Sequence, residues 1–308
     1  MSVLVVGSFI VDCIATCKRA PEAGETVVGD SYNTYLGGKG ANQAFASIRM
    51  GSKTTMVGCL GNDGFSKQFL DTLNQEGFDT RYIKISEKHS TGVSLVTVEH
   101  SGQNRICMTP GANLDYEVED LHGIEDVIKN HDIIVTQLEM KKEIMEELAI
   151  LSKKHNKKFI LNPAPAASIK DETLDGIYCI TPNETELGII LDKKIETMDE
   201  FIEGAKILLE KGCQNVIVTL GTMGSLLVNK DGHTLVPAFK VKAIDTVGAG
   251  DSFTGSLSAM LDQGRPLLEA MQIATAVAAL EVQKNGAIPA MPYKKEVFTF
   301  LKENGINL

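Results

Sequence analysis

Short apolar runs rich in β-branched residues alternate along this chain with segments in which apolar residues recur at helical spacing. This alternation is typical of βαβ units, which build a mostly parallel sheet with helices on its faces. Six apolar runs predict buried strands: Val3–Phe9, Thr54–Leu60, Asp132–Leu138, Lys158–Leu161, Ile177–Thr181 and Val216–Leu220. Two helical spacings predict helices that each bury one stripe: Phe65, Phe69 and Leu73, and Ile144, Leu148 and Leu151. Pro266 suits the first turn of a further helix over Leu267–Val282.

Two regions carry alternating, β-prone stretches with no helix between them. The paired stretches are Val11–Cys17 with Glu25–Tyr35, and Thr91–Val98 with Asn104–Met108. We expect them to form an antiparallel sheet that projects from the main domain as a lid, over about residues 11–36 and 90–109. An exposed apolar sheet of this kind covers a substrate or pairs with another subunit. Because no linker or internal repeat divides the chain, the prediction is one α/β domain over residues 1–308.

Composition narrows the class of protein. The chain has 308 residues, 43% hydrophobic and 23% charged, which is typical of a soluble globular enzyme. Its formal net charge of −10 argues against a nucleic-acid partner, because such proteins usually present a basic face. There is no run of 18 apolar residues, and the N-terminus lacks the basic segment and cleavage site of a signal peptide. We therefore expect a cytoplasmic protein without a membrane partner.

The cysteines and histidines show no metal-ligand spacing. The cysteines lie in apolar runs without a C-x-x-C pair, which favours small buried hydrophobic residues in a reducing compartment: Cys13, Cys17, Cys59, Cys107, Cys179 and Cys213. The histidines form no H-x-x-x-H set, which favours positions in loops or facing solvent: His89, His100, His122, His131, His155 and His233.

The most informative segment is Ala243–Phe253, with the sequence AIDTVGAGDSF, which places a glycine-rich turn and an acid at the start of an apolar helix. Gly248 and Gly250 allow a ligand to approach the backbone, and the free N–H groups and dipole of the helix favour a negative charge. Asp251 would repel a bare phosphate, which suggests that it meets a hydroxyl group while phosphate oxygens bind the amides. The alternative is a glycine-rich loop in which Asp251 is the N-cap of the helix.

A second glycine-rich element, Leu36–Ala44 with the sequence LGGKGANQA, leads into a helix that ends near Gly51. It lacks the G-x-x-x-x-G-K-[ST] pattern of a Walker A loop, and neither glycine-rich element has the G-x-G-x-x-G pattern of a dinucleotide site. Its glycines can admit a small polyol to the backbone, where Lys39 and Asn42 offer donors and an amide oxygen. The alternative is a strand-to-helix turn without a ligand.

Polar residues also follow several predicted strands, at the sheet edge where open α/β sheets bind ligands. They are Asp12, Glu139, Asn162, residues 183–186 and the turn 219–224. Each acid alone is more typical of a solvated strand end or a helix cap, because acids are seldom buried. Their repetition at one edge indicates a binding site.

Four motifs occur in the order GGKGANQ (37–43), NPAPA (162–166), PNETE (182–186) and DTVGAGDSF (245–253). Together they resemble the ribokinase family of carbohydrate kinases, and the resemblance extends from about Leu4 to Pro292. It implies a central, mostly parallel sheet flanked by helices, with a small β-sheet lid that also pairs two subunits into a homodimer. It further implies ATP-dependent phosphorylation of the 5-hydroxyl of D-ribose, or of 2-deoxy-D-ribose as the alternative, with Mg²⁺ and K⁺ as cofactors.

The resemblance also implies a role for each matching residue. Asp251 matches the catalytic base, and the anion hole for the transferred phosphoryl group matches Gly248, Ala249 and Gly250. The sugar-binding positions are Ile10, Asp12, Gly38, Lys39, Gly40, Asn42 and Glu139. The positions for Mg²⁺, phosphates and nucleotide are Asn183, Glu186, Thr219, Gly221, Thr222, Gly224 and Thr275. The potassium positions, which act mostly through backbone carbonyls, are Asp245, Val247, Glu281, Lys284, Gly286 and Ala290.

Two positions depart from the pattern of many bacterial members of this family. Ile10 stands where those proteins have an asparagine beside the sugar 2-hydroxyl, and an isoleucine cannot form a hydrogen bond there. The expectation is weak discrimination against 2-deoxyribose, unless Ile10 only packs under the lid and another residue serves the hydroxyl. Ala290 stands where many members have a serine, so a bound ion would lose a hydroxyl ligand.

Two other classes of function stay open from the sequence. One is a non-catalytic sugar or nucleotide sensor on the same scaffold. The presence of Asp251 argues against it, because a sensor does not need a base aimed at a hydroxyl group. The other is a related kinase that acts on a nucleoside, which needs an apolar pocket for the base, or on a hexose phosphate, which needs a basic cluster. The sequence shows neither feature clearly.

Overall fold

Residues 2–308 are described by the structure, a computed structural model, and over this range the strands form two sheets. The strands are β1 (Val3–Val6), β2 (Ile10–Cys17), β3 (Ser31–Gly37), β4 (Thr54–Gly61), β5 (Ile83–Ser86), β6 (Gly92–Glu99), β7 (Asn104–Thr109), β8 (Ile133–Thr136), β9 (Lys158–Leu161), β10 (Cys179–Ile180), β11 (Asn215–Thr219), β12 (Ser225–Asn229) and β13 (Gly232–Val236).

The larger sheet has the strand order β13-β12-β11-β10-β9-β8-β1-β4-β5. The strands from β11 to β5 are parallel, and β12 and β13 extend the sheet as an antiparallel edge. Val3 and Val5 of β1 pack into one hydrophobic cluster, whereas Leu4 and Val6 pack into a second cluster on the opposite face. This alternation is expected of a strand that is buried on both faces.

Helices cover both faces of this sheet. They are α1 (Lys39–Arg49), α2 (Gly64–Gln75), α3 (Val118–Gly123), α4 (Glu125–Lys129), α5 (Lys142–Lys154), α6 (Asp171–Leu174), α7 (Glu184–Leu191), α8 (Met198–Glu210), α9 (Ala249–Asp262), α10 (Leu267–Glu281) and α11 (Lys294–Glu303). Phe45 of α1 and Phe253 of α9 belong to one hydrophobic cluster, and Leu148 of α5 and Phe201 of α8 belong to the other. On the face of the first cluster, α1 and α9 are in direct contact.

The six predicted strands all occur, and β9 has the predicted bounds. The prediction of Val3–Phe9 is too long, because the chain leaves the sheet after Val6. There Gly7 passes so close to α1 that a Cβ on it would lie 2.7 Å from Gly40 Cα. The predictions for β8 and β10 are also too long, and the apolar pattern does not predict β5, β12 or β13.

The smaller sheet, here called the lid sheet, consists of β2, β3, β6 and β7. It differs from the prediction in two ways. β3 begins at Ser31 rather than at Glu25, and β2 pairs with β6 in parallel, so the sheet is not antiparallel throughout. Because β2 follows β1 and β6 follows β5, and β1 and β5 are parallel, both strands enter the lid sheet in the same direction.

Both faces of the lid sheet present exposed apolar side chains. The strand register places Asp12 on one face together with the exposed Ile106 and Met108. The opposite face carries the exposed Tyr32 and Leu95. The lid sheet therefore offers one apolar surface on the side of Asp12 and a second surface facing away from it.

The expectation of a buried position is wrong for one cysteine. Cys107 is exposed, because it lies on the edge strand β7, although the other cysteines are buried. His131 lies in the loop between α4 and β8, as expected of the histidines, but it is buried, and burial lowers the pKa of its ring. Its Nδ1 donates to Val127 O at 2.6 Å, and its Nε2 lies 2.9 Å from Thr55 Oγ1. Within residues 2–308, we find no helix with the length and apolar character needed to cross a bilayer.

Candidate functional site

The carboxylate of Asp251 joins the beginnings of α1 and α9. α9 begins after Gly248, which has a φ of 93° and makes no side-chain cap. Asp251 is 6% exposed and accepts one hydrogen bond on each oxygen, from Asn42 Nδ2 to Oδ2 and from Gln43 Nε2 to Oδ1, both at 3.0 Å. The alternative in which Asp251 caps its own helix is therefore wrong. Its carboxylate belongs to a contact between two helices.

The loop before α1 is held against the loop after β1. Gly38 has a φ of 90°, and a Cβ on it would lie 2.6 Å from Ile10 N. A Cβ on Gly40 would collide with the backbone of Gly7 and Ser8, and Ala41 N donates to Ser8 O at 3.0 Å. The glycines therefore do form a close strand-to-helix turn. The same turn presents the side chains of the first turn of α1 at the edge of the sheet.

Lys39 lies in the field of three carboxylates. Asp251 is the main cause that raises the pKa of Lys39, with further contributions from Glu139 and Glu186, and burial opposes this shift. Burial raises the pKa of Glu139, whereas the Lys39 ammonium lowers it. One oxygen of Glu139 accepts from Lys39 N at 2.9 Å and from the hydroxyl of Ser8. Glu139 thus fixes the glycine-rich turn from the end of β8, and Ser8 is a contact that the motifs did not indicate.

Asp12 and Asn42 approach the same glycine. A Cβ on Gly37 would lie 3.2 Å from Asp12 Oδ2 and 3.7 Å from Asn42 Oδ1. Asn42 Oδ1 is buried and has no hydrogen-bond partner. Burial raises the pKa of Asp12, and its hydrogen bond with Ser94 lowers it. Ile10 begins the same strand as Asp12 and is buried beside the loop. These residues form a cluster of acceptors and one apolar side chain at the base of the lid sheet.

Asn183 and Glu186 cap the start of α7 reciprocally. Glu186 N donates to Asn183 Oδ1 at 2.8 Å, and Asn183 N donates to Glu186 Oε2 at 2.9 Å. Burial raises the pKa of Glu186, with a smaller contribution from Asp251, and Lys39 lowers it. Glu186 therefore both caps a helix and faces the same charged cluster as Asp251.

The predicted nucleotide positions lie beside this cap. Thr219 forms a bridge with Asn183, and the strand is followed by a short turn in which Gly221 and Thr222 are exposed and Gly224 is buried. Thr275 is buried in α10, where its hydroxyl donates to Met271 O at 2.9 Å. The structure thus brings the turn to the site, whereas a hydrogen bond within α10 already accounts for the Thr275 hydroxyl.

Asp245 ties together the two loops that carry the predicted potassium positions. Its carboxylate accepts from Val247 N at 3.0 Å and from Gly286 N at 2.9 Å. Lys284 points outward, with its Nζ 3.7 Å from Glu296, and Ala290 is buried with its N–H donating to Ala287 O. One carboxylate therefore holds the loop before Gly248 and the loop after α10 together as a unit.

Glu281 is the most unusual residue of this unit. It is 0% exposed, and neither carboxylate oxygen has a hydrogen-bond partner. A Cβ on Gly248 would lie 2.8 Å from Glu281 Oε1, so the carboxylate is directly behind the turn at residues 248–250. Burial raises the pKa of Glu281 to about 9, with contributions from Asp245 and Asp251. Over residues 2–308, no three His, Cys, Asp or Glu side chains form a metal cluster, so a cation here would depend on backbone carbonyls as well.

Comparisons with known proteins give the family of this chain. The family model described as "pfkB family carbohydrate kinase" matches residues 1–294. The ribokinase of Haemophilus influenzae is 35% identical over 298 residues, which cover 97% of each chain. The deoxyribokinase of Salmonella typhi is 34% identical over 309 residues, which cover 99% of this chain and 100% of that protein. The structure of Arabidopsis thaliana ribokinase complexed with ribose and ATP superposes with a TM-score of 0.91 at 31% identity, covering 98% of each chain. From these similarities and the shared fold, the chain belongs to the pfkB family of carbohydrate kinases.

Proposed function

We propose that this protein transfers the γ-phosphoryl group of ATP to the 5-hydroxyl of D-ribose, and so produces D-ribose 5-phosphate and ADP. The observation that carries the proposal is the placement of Asp251, a buried carboxylate beside Asn42, in the first turn of α9. Relatives named ribokinase, and a similar structure that contains ribose and ATP, support the choice of substrates.

In this reaction a bond forms between the sugar O5 and the γ-phosphorus, and the bond from that phosphorus to the leaving oxygen of ADP breaks. The transition state is loose, so the protein mainly aligns the reactants and stabilises charge on the equatorial oxygens. Asp251 receives the hydroxyl proton late, when the new bond makes the hydroxyl acidic. The N–H groups of Gly248, Ala249 and Gly250 bind the phosphoryl oxygens, and closure of the lid sheet excludes water.

The charged cluster near Asp251 also suits a divalent cation. Glu186 offers a carboxylate, and Mg²⁺ prefers carboxylate and phosphate oxygens. Lys39 lies in the same field as Glu186 and can bind a phosphate oxygen. We propose that Asn183 and Glu186 help to hold Mg²⁺ together with the nucleotide phosphates, where the ion neutralises developing charge. The nucleotide itself would lie along the turn that follows Thr219.

The buried carboxylate of Glu281 fits a monovalent cation behind the anion hole. A buried carboxylate without partners is costly unless it is protonated or bound to a cation. We therefore propose a potassium site formed by Glu281 and by backbone carbonyls of the loops that Asp245 joins. Such an ion would fix the amides of the anion hole without touching the substrate.

Potassium should raise the turnover number, and Na⁺ or Li⁺ should raise it much less. At a free potassium concentration of 100 times its Kd, binding should also raise the free energy of unfolding by about 2.7 kcal/mol, which a thermal melt detects. Glu281→Gln should lose most of this stabilisation, because the neutral amide binds a cation poorly. Equal turnover numbers and equal melting temperatures in potassium-containing and potassium-free buffer would contradict the proposed potassium site.

The choice between ribose and 2-deoxyribose depends on Ile10. A ribose 2-hydroxyl buried against Ile10 without a partner would cost about 1–3 kcal/mol, whereas 2-deoxyribose would lose nothing. The similarity to a deoxyribokinase supports phosphorylation of 2-deoxyribose as a second candidate activity. We expect ribose to be a substrate with weak discrimination against 2-deoxyribose.

The test is kcat/KM for both sugars in the wild type and in Ile10→Asn. The substitution should move the ratio toward ribose by about 5- to 100-fold, which corresponds to one buried hydrogen bond. An unchanged ratio would mean that position 10 does not contact the 2-hydroxyl. An assay of ATP consumption with ribose and with other pentoses, hexoses and nucleosides tests the proposed function itself. A sensor would consume no ATP with any of them.

The lid sheet supports a proposal about assembly. Tyr32 and Leu95 are exposed on the face opposite Asp12, and exposed apolar side chains that share one face can form a contiguous patch of the kind that marks an interaction surface. We propose that this cytoplasmic enzyme is a homodimer paired through its lid sheets. Sedimentation equilibrium measures the mass, and a monomer at the concentrations used for activity would contradict the proposal.

A further inference from the structure

A continuous chain of buried amide groups leads from the central sheet to the carboxylate of Asp251. Gln43 is 0% exposed, and Gln137 and Asn162 are also buried. Gln137 Nε2 donates to Gln43 Oε1 at 2.6 Å, and Gln43 Nε2 donates to Asn162 Oδ1 at 3.1 Å and to Asp251 Oδ1 at 3.0 Å. No part of Gln43 can reach a substrate, yet it contacts the proposed base directly.

The direction of every hydrogen bond in this chain is fixed by one backbone group. Asn162 Nδ2 lies 3.0 Å from Thr181 O, which can only accept, so this end of the amide must be the donor. Asn162 Oδ1 then faces Gln43 and requires the NH₂ end of that side chain. Gln137 occupies the remaining oxygen of Gln43. Gln43 therefore cannot rotate its amide without breaking a buried hydrogen bond at each end.

This arrangement makes the two oxygens of Asp251 different. Oδ1 is held from the buried side by an amide that can only donate to it. Oδ2 accepts from Asn42, whose own Oδ1 is buried, unpartnered and close to Gly37 in the proposed sugar site. The geometry points to Gln43 as a positioning residue that reserves Oδ1 and directs Oδ2 toward the sugar hydroxyl, so that Oδ2 receives the proton. This inference rests on the proposed kinase function.

The principal test is Gln43→Met, which keeps the length of the side chain and removes its hydrogen bonds. A carboxylate that is free to turn should lower kcat by about 10- to 100-fold, because small misplacements of a reacting group have effects of this size. The KM for ribose should stay within about twofold, because Gln43 does not contact the sugar. Gln263→Met is the matched control. Gln263 follows the last residue of α9, is partly buried and makes three hydrogen bonds: its Nε2 donates to Met50 O and Ser52 Oγ, and its Oε1 accepts from Lys294 Nζ.

A double-mutant cycle separates positioning from general packing. If Gln43 acts through the carboxylate, Gln43→Met should change kcat by less than about twofold when Asp251→Asn is already present. Independent, multiplying effects would overturn the inference, and so would a wild-type kcat in Gln43→Met. If Asp251→Asn alone keeps wild-type kcat, it is the proposed function that fails.

A second variant keeps the test decisive if Gln43→Met does not fold. Gln137→Met removes only the bond that orients the Gln43 amide, and Gln137 does not contact Asp251 in the structure. It should lower kcat by about 3- to 10-fold, less than the loss of Gln43 itself, and the loss should vanish in the Asp251→Asn background. An unchanged kcat, or a loss that persists in that background, would overturn the inference.

Discussion

Asp251→Asn should lower kcat by about 10²- to 10⁴-fold, the range expected when a general base is lost. The fold should survive because Asn42 can adapt to the new amide. The Asn42 oxygen is buried without a partner, so a rotation of its amide allows it to accept from the NH₂ group placed at position 251. Steady-state kinetics and ribose titration by calorimetry measure the two effects separately.

The matched control for this substitution lies on the same helix. Asp262 is 4% exposed at the end of α9, and Ser52 interacts with its side chain. Asp262→Asn makes the same chemical change at a comparable depth, and we expect kcat to stay within about twofold. A kcat near the wild-type value in Asp251→Asn would show that Asp251 is not the general base.

Gly250→Val should lower kcat/KM for ATP by about 10²- to 10³-fold. Gly250 is exposed in the first turn of α9, and a Cβ on it would meet no protein atom within 4 Å. The space beside it is where phosphate oxygens would approach the amides, so a branched side chain should block the ligand rather than the fold. Removal of one oxyanion-hole donor has effects of this size.

Gly64→Val provides the control for Gly250→Val. Gly64 is the first residue of α2, is exposed, and likewise has no protein atom within 4 Å of a Cβ. Both variants should melt within a few degrees of the wild type, and only the change at position 250 should affect ATP. If Gly250→Val retains wild-type kcat/KM for ATP, the phosphoryl group does not bind at the start of α9.

The sequence predicts the main sheet well where strands are buried and less well at its edges. β9 and β11 have centres of consecutive apolar residues, and such runs are recognised without knowledge of their neighbours. β13 is mostly exposed, and the short β5 alternates apolar and polar residues instead of having the consecutive apolar residues of β9, so neither strand carries a strong local pattern. The parallel pairing of β2 with β6 was missed because it joins segments that are far apart in the chain and depends on the order of strands in the main sheet.

The motifs locate the candidate site, but they do not define its contacts. The sequence alone does not reject Asp251 as the N-cap, because it does not show at which residue α9 begins. The backbone shows that the N-cap is Gly248. Gln43 is part of the GGKGANQ motif, but its role is not predicted, because the motif does not show that its side chain faces Asp251. Glu281 was expected to act mostly through its backbone, and nothing in the sequence indicates that its carboxylate is buried without a partner.

The contact between Asn42 and Asp251 joins residues that are 209 positions apart in the chain. The proposed sugar-binding residues near Asn42 are therefore synthesised early, whereas the proposed anion hole is supplied only after most of the chain has left the ribosome. Contacts between residues so far apart in sequence form slowly, because the entropy cost of closing a long loop must be met before the contact contributes any stabilisation. Catalytic activity should thus be among the last properties to return when the unfolded protein refolds, after the secondary structure of both halves is already in place.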